Sequence, residues 1–584
     1  MDVIFGKNKK EQLEPVTAQV TGKIPTWLRG TLLRNGPGMH AVGESKYNHW
    51  FDGLALLHSF SIRDGEVYYR SKYLRSDTYN ANIEANRIVV SEFGTMAYPD
   101  PCKNIFAKAF SYLSHTIPDF TDNCLINIMK CGKDFYATTE TNYIRKINPH
   151  TLETLEKVDY RKYVAINLAT AHPHYDGAGN VLNMGTSIVD KGKTKYVIFK
   201  IPASVPEEDQ RRGKSPLKHT EVFCSIPSRS LLSPSYYHSF GLTDNHVVFL
   251  EQPFKLDILK MATAYMRGVS WASCMTFHKE DKTYIHIIDR RTRRPVPTKF
   301  YTDAMVVFHH VNAYEEDGCL LFDVIAYQDS SLYQLFYLAN LNQDFEENSR
   351  LTSVPTLRRF ALPLHVDKNA EVGSNLIRAA STRATATKEK DDCVYCQPEL
   401  LYEGLELPQI NYAHNGKPYR YIYAAGVQWS PIPTKSGARR AAGRRNPCLC
   451  PRQVPRTRMT ELSYQPLFPP IPKSLLFFLS WMPKVLRNWL APLLLWRCTW
   501  TSMACSSQIQ TGTRGISPLP RHSRTRLQTA KRPPGPEEPA GLGPREKSIM
   551  GRDALHFAVI LPAGAVMSPW REGLLAASLV SFGL

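Results

Sequence analysis

Phe60-Ser61-Ile62-Arg63-Asp64-Gly65-Glu66-Val67-Tyr68-Tyr69-Arg70 places two short runs of strand-favouring residues on either side of an Asp-Gly pair. Aspartate followed by glycine tolerates the positive backbone angles of a two-residue hairpin turn, so the stretch reads as two antiparallel strands. The same punctuation recurs. Asp176-Gly177 precedes Asn180-Val181-Leu182-Asn183-Met184, Thr243-Asp244-Asn245 precedes Val247-Val248-Phe249-Leu250, and Asp317-Gly318 precedes Leu320-Leu321-Phe322-Asp323-Val324-Ile325. Short strands separated by polar turns, without long helices between them, predict an all-β array of sheets of the propeller type. The pattern alone does not count the blades.

The chain has 584 residues and a formal net charge of +19, placed unevenly. From Ser436 onward, 21 Lys and Arg stand against 6 Asp and Glu, whereas residues 1–435 carry 51 against 47. The excess therefore belongs to residues 436–584, where 17 of the 21 basic residues are arginine, as in Arg521-His522-Ser523-Arg524-Thr525-Arg526. Two regions are expected: a β-rich unit over 1–435 and an Arg/Pro-rich tail over 436–584 that lacks a sustained helix or strand period and is expected to be disordered. A basic tail suggests a nucleic-acid or anionic-membrane patch. Its arginines are neither interleaved with aromatics nor spaced along a helix face, so no nucleic-acid partner is expected. Ser474 to Trp496 is apolar, but Pro483, Lys484, Arg487 and Pro492 interrupt it. It falls short of the ~20 clean residues that a membrane span needs.

Within the β-rich unit, His172, His238 and His309 lie 66 and 71 residues apart. Each sits in a short apolar or aromatic run: Ala171-His172-Pro173-His174-Tyr175, Tyr236-Tyr237-His238-Ser239-Phe240 and Phe308-His309-His310-Val311-Asn312. A lone histidine is ordinarily a core or surface group. Three at this spacing suggest one imidazole per structural repeat, gathered from separate strands around a divalent transition metal with positions left open for a small ligand. His310 follows His309 directly and should point to the opposite face of a strand. His174 stands two residues from His172 on the same side, and the local pattern leaves either free to reach the metal.

These strings resemble the metal-binding segments of the carotenoid cleavage oxygenase family. So do Leu32-Leu33-Arg34-Asn35-Gly36-Pro37-Gly38, His49-Trp50-Phe51-Asp52-Gly53, Glu92-Phe93-Gly94-Thr95, Tyr98-Pro99-Asp100-Pro101-Cys102-Lys103-Asn104-Ile105-Phe106, Thr139-Glu140-Thr141-Asn142 and Asn183-Met184-Gly185-Thr186-Ser187. The resemblance runs from about Met1 to about Lys435. It implies a seven-bladed β-propeller with a cap of helices and loops over an axis that holds non-haem Fe(II) on four histidines. It selects His172, rather than His174, beside His238 and His309. It also implies glutamates that orient the imidazoles from behind, matched here by Glu140 and by Glu406 in Leu405-Glu406-Leu407-Pro408. The implied activity is cleavage of the central double bond of β-carotene by O2 to two molecules of retinal. Off-centre carotenoid cleavage and retinoid ester isomerisation are the alternatives within the family, and a non-catalytic carotenoid-binding or interaction propeller is the alternative outside it. Phe51, Tyr236, Tyr237 and Tyr327 are expected along the substrate tunnel, with Phe51, Tyr236 and Tyr327 assigned to stabilise positive charge on the polyene through their ring faces; ordinary core packing explains each equally well.

The resemblance also exposes a gap. The family's fourth histidine normally lies in a string like Met-His-Met-Asp-Leu-His-Gly-Leu-Phe, which is absent from this sequence. Yet Cys498-Thr499-Trp500-Thr501-Ser502-Met503-Ala504-Cys505-Ser506 can be encoded by TGC ACA TGG ACC TCC ATG GCT TGT TCA. Read one base earlier, after an A, the same nucleotides give ATG CAC ATG GAC CTC CAT GGC TTG TTC, which spells the missing string. Residues from roughly Ser436 are therefore expected to be an out-of-frame translation. The last blades and their closure would then be disrupted, and the third orienting glutamate, which falls in the same region, lost.

The N-terminus is charged, without a sustained apolar segment, so no signal peptide is expected and the cytosol is the expected compartment. Eight of the twelve cysteines precede residue 436 without a regular framework, as in a protein with reduced thiols. Cys393-Val394-Tyr395-Cys396 is a single CxxC with no second pair, so neither zinc nor redox chemistry is expected there. Ile105, Phe106, Ala109, Phe110, Leu113 and Ile117 recur at three- and four-residue intervals, with Lys103 and Lys108 nearby. A helix over 103–117 would carry an apolar face with a basic edge. It would serve either as a cap on the core or, as the resemblance implies, as a peripheral membrane contact at the substrate entrance.

Overall fold

Arg63 pairs with Glu66 across a turn in which Asp64 and Gly65 take φ of 55° and 81°, and Glu316 pairs with Cys319 across Asp317 and Gly318 at 51° and 72°. Both are tight hairpins of the expected kind. Asp176-Gly177 behaves differently: the amide of Gly179, at φ 79°, bonds back to Asp176, and a longer loop joins His174–Tyr175 to Val181–Asp190. The carboxylate of Asp176 accepts from the amides of Ala178 and Asn180, which holds the wider loop together.

These observations come from a computed structural model, which describes residues 8–97, 120–190, 192–342 and 352–426. The expected helix over 103–117, the tail and the closing strands lie outside the described residues.

Five antiparallel meanders follow one another along the chain. The first orders Gln12–Thr17, Glu66–Tyr73, Leu54–Arg63 and Gly30–Met39; the second Thr154–Asp159, Tyr143–Ile147, Asp134–Thr138 and Asn127–Cys131. The third contains Leu168–Ala169, Val181–Asp190, Lys193–Ile201 and Glu221–Pro227. The fourth begins Gly241–Leu242, His246–Glu251, Thr283–Asp289, Lys299–Thr302, and gains Cys393–Gln397 by a parallel crossover. The fifth orders Val306–Glu316, Cys319–Tyr327, Thr356–Pro363 and Glu399–Glu403.

Successive sheets bury apolar faces against each other. Leu33 and Leu57 of the first meet Ile128 and Phe135 of the second; Met129 and Tyr136 meet Val181 and Phe199 of the third. Leu182 and Ile198 then meet Val247 and Phe249 of the fourth, whose Val248 and Ile285 pack on Phe322 and Val324 of the fifth. Sheets stacked face to face in sequence order form a propeller-like arrangement. Cys319–Tyr327 is buried along its whole length because both of its faces are covered. Helices are few, and among the described residues no helix is long and apolar enough to cross a membrane.

Candidate metal centre

Each histidine comes from the segment at or beside the first strand of its own sheet, and His309 alone lies within the strand. His172 occupies the gap between Leu168–Ala169 and His174–Tyr175, two short strands that both pair with Val181–Asp190, and its amide donates to Thr170 Oγ1. His238 lies three residues before Gly241–Leu242, and Ser239 Oγ ties that segment to the carbonyl of Phe308. His309 lies in Val306–Glu316 at a register shift that separates it from Val307. A bulge of this kind re-aims a side chain without ending the strand.

One nitrogen from each of the three imidazoles lies within 4.8 Å of the others, and His172 Nε2 stands 2.8 Å from His238 Nε2. Behind the cluster, His238 Nδ1 faces Glu140 Oε1 at 2.5 Å and His309 Nδ1 faces Glu406 Oε2 at 2.7 Å. A carboxylate accepts, so these contacts assign the proton to Nδ1 in both rings and turn the Nε2 lone pairs toward the shared centre. Without a metal, His172 Nε2–H can donate to the His238 Nε2 lone pair; with one, both lone pairs can turn to the same cation. The separations also suit a metal bonded to imidazole nitrogen at roughly 2 Å, so the residues fit the group that the sequence implies.

Glu140 follows Asp134–Thr138 and is 26% exposed, whereas Glu406 is 7% exposed. Burial lifts the Glu140 carboxyl to about 8 in the metal-free chain, with the Tyr236 hydroxyl and His309 opposing the shift, and a cation on the imidazoles would favour its ionised, accepting form. Tyr236 donates to Glu140 Oε2 at 3.0 Å and Tyr327 donates to Glu406 Oε1 at 3.0 Å. Burial, and then the adjacent carboxylates, push both phenols far above their ordinary range, so they remain donors. Glu406 is set in place by local backbone: Leu407 adopts φ 56° and returns its amide to Glu406 Oε2 at 2.5 Å. A left-handed leucine costs about 1–3 kcal/mol, a strain concentrated beside a carboxylate that faces the cluster.

An apolar cavity opens beside the cluster, walled by Phe51, Phe93, Met261, Trp271 and Tyr236, and it reaches Glu140 and His238. Of the aromatic residues expected along a tunnel, Phe51, Tyr236 and Tyr237 border this cavity. Tyr327 is 1% exposed and packs with Trp50 and Phe308, its hydroxyl on Glu406. His174 is turned away from the metal cluster, bonding the carbonyl of Phe240 and Asn415 Oδ1. His310 points to the other side of its strand, stacked near Phe322. Sequence reasoning missed Phe308 and Tyr333. The Phe308 ring lies on the His238 imidazole at 4.2 Å and 17°, and Tyr333 lines the cavity beside Tyr236. The aromatic run at Phe308 was the available signal; Tyr333, on the short helix Ser331–Leu335, had none.

A propeller-like stack of sheets with three converging imidazoles, two of them braced by glutamates, defines a metal-dependent class of β-propeller protein. The chain belongs to the family described as Retinal pigment epithelial membrane protein, whose model matches residues 5–439. It is 86% identical over 435 residues to "Beta,beta-carotene 15,15'-dioxygenase" of Homo sapiens, covering 74% of this chain and 79% of that protein. To the protein of the same name from Gallus gallus it is 72% identical, with 74% and 82% covered. A "Carotenoid-cleaving dioxygenase, mitochondrial" from Macaca fascicularis is 42% identical over 428 residues, with 71% and 76% covered. Among solved structures, cobalt-substituted Synechocystis apocarotenoid oxygenase superposes with a TM-score of 0.54 at 21% identity, covering 73% of this chain and 77% of that one. That likeness supports the fold.

Proposed function

We propose that this chain is built for oxidative cleavage of the central double bond of β-carotene by O2 to two molecules of retinal, with Fe(II) on His172, His238 and His309. The observation that carries the reading is an imidazole cluster, its protons held outward by Glu140 and Glu406, at the end of an apolar cavity. Ferrous iron, when bound, supplies a redox-active Lewis acid with open positions for dioxygen. The protein's share is positional. Phe51, Phe93 and Trp271 exclude water and hold a hydrocarbon by burial alone. The rings of Phe51 and Tyr236 border the space where a polyene would pass and favour positive charge on it. Neutral imidazoles hold the metal without adding negative charge, and the glutamates fix their tautomers.

Cytosolic residence with peripheral membrane contact completes the proposal. Seven thiols, all unpaired among the described residues, support a reducing compartment. Leu231 and Leu232 are exposed, as is Leu259 at 60%, and the amide of Ile258 bonds to the carbonyl of Leu232. Leu259 lies on the helix Ile258–Arg267 and Leu231 and Leu232 adjoin it; the same helix sends Met261 into the cavity wall, so an apolar surface and the cavity share one element.

The test compares the chain as it stands with a frame-restored version, each loaded anaerobically with Fe(II) and given β-carotene in phosphatidylcholine vesicles with O2. Retinal identified by chromatography from the restored chain, with the present chain largely inactive and both pelleting with the vesicles, is the expected result. Equal turnover by both chains would remove the need for a fourth histidine. No retinal from either, or off-centre products, overturns the assignment, and protein left in the supernatant overturns the membrane contact.

A further inference from the structure

Glu140 and Glu406 share more than their imidazoles. Each accepts from a histidine Nδ1–H and also from a tyrosine hydroxyl: the part-buried Tyr236 for Glu140, the buried Tyr327 for Glu406. The two chains of contacts are assembled from unrelated stretches. Tyr236 lies two residues before the histidine it serves, while Tyr327 ends the strand Cys319–Tyr327 and pairs with Val306, at the start of the strand that carries His309.

Two independent constructions of tyrosine, glutamate and histidine need a common cause, and ring surface is not one. The Tyr236 ring borders the cavity, whereas the Tyr327 ring is enclosed by Trp50, Phe308 and Leu357. What the two have in common is the hydroxyl and its carboxylate. Glu406 shows why this matters: Oε2 already takes Leu407 N–H and His309 Nδ1–H, and Oε1 has Tyr327. A buried carboxylate oxygen left without a donor is costly, and the group would turn to find one, taking the imidazole with it.

We propose that Tyr236 and Tyr327 are positioning residues that act through their hydroxyl groups, clamping Glu140 and Glu406 so that the Nε2 atoms of His238 and His309 stay aimed at one metal. This inference rests on the reading of the cluster as a metal centre. Loss of a group that braces a ligand directly weakens metal affinity about 10–100-fold. The hydroxyls act one bond further out, so a loss of roughly 3–10-fold is expected for each.

The experiment titrates Co(II), followed by its visible absorption, into the full chain and into Tyr236→Phe, Tyr327→Phe and Tyr314→Phe. Phenylalanine keeps the ring and removes only the hydroxyl. Tyr314 is the control, a buried tyrosine whose hydroxyl has no hydrogen-bond partner among the described residues. The first two variants should bind several-fold more weakly and the third like the parent, with all melting temperatures close together. In a Glu406→Gln background, Tyr327→Phe should add little, because the two groups act in series. Parental affinity in both phenylalanine variants overturns the proposal, as does an undiminished Tyr327→Phe effect in the Glu406→Gln background. Absence of Co(II) binding by the unsubstituted chain overturns the metal-centre reading and this inference with it, whereas weakened binding in the variants leaves the substrate assignment to its own test.

Discussion

Two sets of histidines sit inside this protein, and comparing them shows what sets a candidate metal cluster apart from other buried imidazoles. His238 and His309 are backed by carboxylates on Nδ1 and converge with His172. His40 and His49, beside Trp50 and Phe51, are as deeply buried, at 1% and 0% exposure, and have no carboxylate behind them. His40 stacks on Trp50 with both nitrogens unpartnered among the described residues. His49 takes the Phe51 amide on Nδ1 and gives its Nε2 proton to the carbonyl of Tyr333, so its tautomer is fixed and both nitrogens are used. Burial is common to both sets. The carboxylate and the shared focus belong to one.

That contrast breaks most sharply at the ligands. His309→Ala should lower Co(II) affinity on the order of a hundredfold or more, because a metal held by three imidazoles loses one and leaves Glu406 buried without its main donor. His40→Leu should leave affinity unchanged. Competition with a chelator of known strength measures both, and a large loss in His40→Leu would erase the distinction. A smaller effect grades the two bracing carboxylates. Glu406→Gln and Glu140→Gln keep the shape and remove the charge, and each should weaken binding by roughly 10–100-fold. Glu406, at 7% exposure against 26% for Glu140, has less access to solvent that could replace its role, so its loss should be the greater. The reverse order in the same titration would mean that the cavity-facing carboxylate dominates.

Much of this is legible in the amino-acid sequence. Asp64-Gly65 and Asp317-Gly318 specify their turns locally, through residues that accept positive φ, and the sheets follow from strands long enough to alternate or stay apolar. The three clustered histidines stand out because they recur 66 and 71 residues apart in aromatic or apolar runs. Placing His172 rather than His174 in the cluster required resemblance, since two residues apart on an extended chain means the same side. In the structure His172 joins the cluster, while His174 bonds the carbonyl of Phe240 and Asn415, a residue 241 positions away. The tyrosine hydroxyls on Glu140 and Glu406 were not legible for the same reason. They join residues 96 and 79 positions apart, and no local pattern encodes which group an aromatic side chain meets at its far end.

The least of the expected effects concerns stability and isolates the set without carboxylates behind it. Burial, assisted by the charge of Lys9, pushes His40 down to about 3, and burial pushes His49 to about 3 against the opposing bond to the Tyr333 carbonyl. In the unfolded chain both return to about 6.5. A histidine whose folded pKa is depressed contributes stability that is present above its unfolded pKa and lost as pH falls toward its folded one, because only the unfolded chain takes up the proton. The loss should therefore begin near pH 6.5 and deepen toward pH 3. Between pH 7 and pH 5 it amounts to roughly 2 kcal/mol for each such histidine. In metal-free protein, His40→Leu removes one share. Neither ring nitrogen of His40 has a partner among the described residues, so an apolar replacement forfeits no hydrogen bond, and any cost of misfit against Trp50 is the same at both pH values. Urea midpoints at pH 7 and pH 5 should accordingly fall closer together in His40→Leu than in the parent. An equal separation would mean that His40 takes up its proton in the folded state, and that its surroundings are less closed than the packing against Trp50 and Gly53 implies.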